Sequence, residues 1–149
     1  MTTNTNPLAD AAFLRAFLDT VIPSSADGRM PGAGSLGVEM DVASAIESDI
    51  RSGPMVSAGL SAVAASASAR HQRVFAELAP NERVAVVNEV LGDHPQFMNA
   101  FARHLYLAYY QHPRVLVAIG EPARPPFPEG FTVEPTDPEL LAKLKARRQ

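Results

Sequence analysis

The sequence contains no cysteine. Disulfides, thiolate zinc sites, cysteine-ligated iron–sulfur clusters and covalently attached c-type haem are therefore excluded within this chain. Net charge is also scarce. The formal value is −3, and no basic stripe is interleaved with aromatics, which argues against a nucleic-acid partner. The only dense basic cluster, Lys143, Lys145, Arg147 and Arg148, falls at the end of a helical pattern, where it complements the helix dipole. Long apolar runs are missing too: no segment reaches the roughly 18 residues of a membrane span, so no membrane insertion is expected. The opening, MTTNTNPLADAAFLRAFLDTVIP, has neither a basic n-region nor an apolar core, so no signal peptide is expected.

What is present is enough for one core. The chain has 149 residues, 46% of them hydrophobic, which suits a single globular domain and is short for two. Residues 1–6 are polar and read as a flexible N-terminus, leaving 7–149 as one α-helical domain. Asn6-Pro7 marks a helix start, and Phe13, Leu14, Phe17, Leu18, Val21 and Ile22 form one wide apolar face that should stop at Pro23. Residues 23–37 hold Pro23, Pro31, Gly32, Gly34 and Gly37 and read as a structural loop. Val38, Val42, Ile46 and Ile50 predict a second helix, closed by Ser52-Gly53-Pro54. The Ser/Ala-rich run 55–78 has Val56, Leu60, Val63, Ala67 and Val74 at helical spacing, so it predicts a helix with close neighbours.

Pro80 opens a further helix carrying Val84, Val87 and Leu91, with Glu82 in place of a Ser/Thr cap. Asp93-His94-Pro95-Gln96 reads as the capped start of the next, whose buried stripe is Phe97, Phe101, Leu105 and Tyr109. His112-Pro113 breaks it, and residues 115–119 fit either a short helix or a strand. Thr136 and Glu139, three apart, form a capping box for the last helix. The expected fold is all-α: about six or seven helices joined by long Pro/Gly-rich loops.

Few residues suggest chemistry. Gly32-Ala33-Gly34-Ser35-Leu36-Gly37 spells a dinucleotide fingerprint, but that motif works only after a buried parallel strand, and PSSADGRMP cannot supply one. Free N–H groups at the next helix start leave open an anionic ligand for the 23–37 loop. His71, His94, His104 and His112 show no metal-ligand spacing, and Ser24, Ser25 and Ser35 sit in no nucleophile elbow. No catalytic, cofactor or metal residue is assigned.

A contact surface fits the residues better. Tyr109 and Tyr110 are adjacent, so on a helix they diverge by about 100°, and one can enter the core while the other faces outward. The candidate interface runs through Tyr106, Tyr109, Tyr110, His112, Pro113 and Arg114 to Pro125, Pro126, Phe127 and Pro128, where proline pre-orders the backbone for docking.

Three segments carry a family resemblance. FLRAFLDTVIPSSADGRMPGAGSLGV, FAELAPNERVAVVNEV and YYQHPRVLVAIG followed by PPFPEGF resemble, in order and spacing, the gluconate 2-dehydrogenase small-subunit family across residues 13–131. The resemblance implies a non-catalytic accessory subunit that binds and stabilises or matures a large FAD-dependent dehydrogenase of the glucose–methanol–choline type. Such an enzyme oxidises sugars, sugar acids or glycosides, and a cytochrome c subunit often completes the complex. FAD would then belong to the partner, with no cofactor in this chain. Many members of that family carry a twin-arginine leader, whereas the only Arg-Arg here is Arg147-Arg148. A cytoplasmic location is therefore expected, or a periplasmic one if the partner carries the signal or a leader has been removed. The competing reading is an independent helical domain that binds an anionic ligand at the 23–37 loop.

Overall fold

The computed structural model describes residues 6–124 and 135–147. Among them are seven α-helices and no strand: α1 (Ala11–Val21), α2 (Glu39–Ser48), α3 (Gly53–His71), α4 (Pro80–Asp93), α5 (Phe97–Gln111), α6 (Pro113–Ala118) and α7 (Pro138–Ala146). The fold is all-α, and residues 115–118, read as helix or strand, are helical.

Phe17 on α1 is the hub of the core. Its ring is fully buried and lies 4.8 Å edge-on from Phe101 and 6.0 Å from both Phe13 and Phe75. Phe97 completes the cluster at 6.4 Å from Phe17. Rings at these distances add favourable quadrupole contacts to the apolar area they bury. The helices wrap around them, with α3 packed against α2, α4 and α5, and α2 against α5. Gly59 lets α3 approach α5 closely, because a Cβ there would lie 2.5 Å from Phe97 Cδ2.

Several boundaries differ from the sequence reading. Pro7–Ala9 is a separate 3-10 turn, and α1 starts only after Asp10, whose Oδ1 accepts from the Ala12 and Phe13 N–H groups at 3.0 Å. The second helix ends at Ser48, so Ile50 falls outside its stripe and is 90% exposed. Gly53-Pro54 opens α3 rather than closing α2, since proline is tolerated in a first turn. Helix α3 stops at His71, where Gln72 turns left-handed at φ 53°, so Val74 is not on its face and is exposed. The buried side of α4 is Val86, Val87 and Val90, which leaves Val84 exposed. Asp93 ends α4 instead of capping α5. Asp137, not Thr136, caps α7, its Oδ1 accepting from the Glu139 N–H at 2.9 Å.

At the start of α4 the Glu82 carboxylate accepts from the Ala79 N–H at 2.7 Å, the half of a capping box that needs no Ser/Thr at the cap. No helix among the described residues is long and apolar enough to cross a membrane.

Candidate functional site

The 23–37 loop is bound to the helices on both sides of it. The Ala33 N–H donates to the Ile22 carbonyl at 2.9 Å, and the Gly34 N–H donates to Asp19 Oδ1 at 2.8 Å. The Tyr109 hydroxyl, from α5, donates to the Pro31 carbonyl at 2.8 Å. Two glycines make this approach possible. A Cβ on Gly32 would stand 2.5 Å from Asp19 Oδ1, and one on Gly34 would stand 2.7 Å from Asp19 Cγ and also strike the Arg15 carbonyl. Gly37 sits at φ +74°, a left-handed turn that glycine adopts without strain, and leads into α2. The loop contains a 3-10 turn at Ala33–Ser35, tied by the Ser35 hydroxyl donating to the Gly32 carbonyl at 2.8 Å. Two of the glycines that spell a nucleotide fingerprint, Gly32 and Gly34, thus lie where the loop presses on the end of α1, and the third, Gly37, serves a turn.

Beside the loop, the end of α5 divides its tyrosines. Tyr109 points inward and is 1% exposed, and burial followed by the neighbouring Tyr110 raises its hydroxyl pKa above the ordinary value. Tyr106 and Tyr110 point outward, 48% and 50% exposed, with ring centroids 6.2 Å apart. Leu107, Val117 and Ile119 are also exposed on α5 and at α6. His112 joins the two helices: its Nδ1 accepts from the Arg114 N–H at 3.2 Å, so it caps α6, and Pro113 occupies the first turn. The His112-Pro113 break is therefore a sharp corner between consecutive helices. Pro125, Pro126, Phe127 and Pro128 lie outside the described residues.

Between the end of α1, the loop, the start of α4 and Arg114 opens a cleft of about 800 Å³. Its walls include Pro23, Pro31 and Pro80, and Asp19 is the only acid among the described residues that line it. Arg83 and Arg114 project from opposite elements. Arg83 Nη2 donates to the Ala76 carbonyl at 2.6 Å, while its Nε is buried with no partner among the described residues. Arg114 Nη1 reaches the Ser35 carbonyl only at 3.4 Å.

A second polar cluster, which the sequence reading missed, lies at the α2–α3 corner. Asp49 ties the turn that leads into α3: its Oδ1 accepts from the Arg51 and Ser52 N–H groups at 3.0 and 3.1 Å, and its Oδ2 from the Ser52 hydroxyl. Arg103 and the buried His104 of α5 reach the same Oδ2 at 3.2 and 3.1 Å. Hydrogen bonds from Ser52 first, then from Arg51 and His104, hold the Asp49 carboxyl far below the usual aspartate range. The one trace in the sequence was the Asp49-x-x-Ser52 spacing ahead of Gly53-Pro54. No group of three or more metal-ligating side chains forms among the described residues.

A family model described as gluconate 2-dehydrogenase subunit 3 matches residues 9–119, from the first turn through α6. No curated protein and no solved structure matches the chain. The match spans most of the sequence, and the chain belongs to that family.

Proposed function

We propose, from that membership, that the chain is the non-catalytic small subunit of a dehydrogenase complex, bound to a large FAD-dependent subunit that oxidises a sugar, a sugar acid or a glycoside. The observation that carries this reading is the match over 9–119, which takes in every helix that packs around the Phe17 cluster. The surface supports the same reading. Tyr106 and Tyr110 form an exposed aromatic pair on a rigid helix, and aromatic anchors on pre-ordered backbone are typical interface hot spots. Tyr109 serves the interior and Tyr110 the contact. The flavin, the catalytic groups and any cytochrome c belong to other chains of the complex.

The test is co-expression with large flavoprotein subunits of the glucose–methanol–choline type, followed by purification through this chain. A complex carrying flavin in stoichiometric amount on the large subunit is the expected result. Tyr110→Ala should then weaken the complex by about 2 kcal/mol while leaving the melting temperature of the isolated chain unchanged. Flavin bound to this chain alone, or sugar oxidation by it alone, would overturn the reading.

A further inference from the structure

Not every arginine of the described residues has a carboxylate partner. Arg15, Arg70, Arg73 and Arg103 each pair with a carboxylate. Arg29, Arg51, Arg83 and Arg114 are among those that pair with no carboxylate of the described residues, and three of these, Arg29, Arg83 and Arg114, gather in one place. Arg83 and Arg114 line the 800 Å³ cleft, and Arg114 also lines an adjoining groove of about 420 Å³ together with Arg29. Residues 29, 83 and 114 come from the loop, α4 and α6, so their convergence is a product of the fold. Asp19, the only acid among the described residues that line the cleft, already accepts the Gly34 N–H.

We propose that this cleft and the groove that shares Arg114 with it receive an extended acidic segment of the large subunit, its carboxylates paired with Arg29, Arg83 and Arg114. The proposal rests on the accessory-subunit reading and adds the chemistry of the contact. Guanidinium groups bind carboxylates through paired, charge-assisted hydrogen bonds, and a guanidinium left partly buried and unpaired is costly until a partner arrives. The spread of the three arginines over two depressions favours a peptide over a small acid. Arg114 lines both depressions, and proline rings and the Val84 side chain give them apolar walls that methylene groups can cover. Arg29 and Arg114 are exposed, so they also act before contact, by drawing the acidic segment in.

The experiment uses the full chain and its purified large subunit, with affinity measured between about 50 and 300 mM salt, where screening of exposed charges changes appreciably. Arg29→Glu/Arg114→Glu is the main variant and Arg114→Gln the milder one, each checked for unchanged helicity and melting temperature. Arg51→Glu, an exposed arginine that lines neither depression, is the control. The double variant should bind at least about tenfold more weakly and with a shallower salt dependence, while the control stays as wild type. Unchanged affinity and salt slope in both arginine variants would overturn the proposal and leave the accessory reading standing. Gluconate binding to the free chain that disappears in the double variant, with complex affinity intact, would place a small acid there and also overturn it. If the wild-type chain binds no flavoprotein at all, both readings fall together.

Discussion

At the scale of single residues, the two neighbouring tyrosines separate stability from binding. Tyr109→Phe keeps the buried ring and removes only the bond to the Pro31 carbonyl, so it should cost about 1 kcal/mol in urea unfolding. Tyr110→Ala removes a half-exposed ring and should change stability by no more than about 0.5 kcal/mol. The divergence of adjacent helical residues was legible, and so was the stripe of Phe97, Phe101, Leu105 and Tyr109, which is buried throughout. The role of Asp49 was not, because its partners on α5 are more than fifty residues away in sequence. Its folded pKa is depressed, so the stability it contributes is fully present above the ordinary aspartate value of 3.8 and is lost as pH falls toward the folded value. Asp49→Asn should therefore be less stable than wild type at about pH 6, and the gap should close between about pH 4 and pH 2. Chemical denaturation across that range, followed by circular dichroism, checks it.

Among the elements, α3 shows why composition misleads. Its Ser/Ala/Gly content could pass for a linker, yet Gly59, Leu60, Val63 and Ala67 are buried because small side chains let neighbouring helices come close. Gly59→Ala sets two effects against each other. Helix propensity favours alanine by up to about 1 kcal/mol. Against that, the new methyl would meet a Phe97 ring that is 1% exposed and held among other aromatics. Overpacking of that kind costs about 1–3 kcal/mol, so a net loss of stability is expected, larger still for Gly59→Val. The chain's helical period was readable wherever large apolar residues recur, as on α1 and α5. It slipped on α4, where five valines and leucines between 84 and 91 allow two registers and only tertiary contacts select Val86, Val87 and Val90. Boundaries slipped for a related reason: proline and glycine punctuate helices without saying which side is helical, as Gly53-Pro54 illustrates.

For the molecule as a whole, the all-α class was legible from periodicity and punctuation, but the cleft was not, since it is assembled from residues distant in sequence. The packed body is also smaller than the chain. Residues 135–140 and 142–147, which include most of α7, are all exposed. Deleting residues 135–149 should leave the melting temperature of the remainder within about 2 °C, as a calorimetric scan would show. The binding of the 23–37 loop to α1 has a consequence in time as well as in space. Its Ala33 and Gly34 amides are held by Ile22 and Asp19, so their hydrogens can exchange with solvent only when the loop lifts from the end of α1 and those bonds break. Those two amides should therefore exchange at rates near those of helix amides, although their neighbours in sequence suggest a loose segment. A protease would still find the exposed Arg29 peptide beyond that anchorage, and the nicked halves should stay together on a gel-filtration column until denaturant is added.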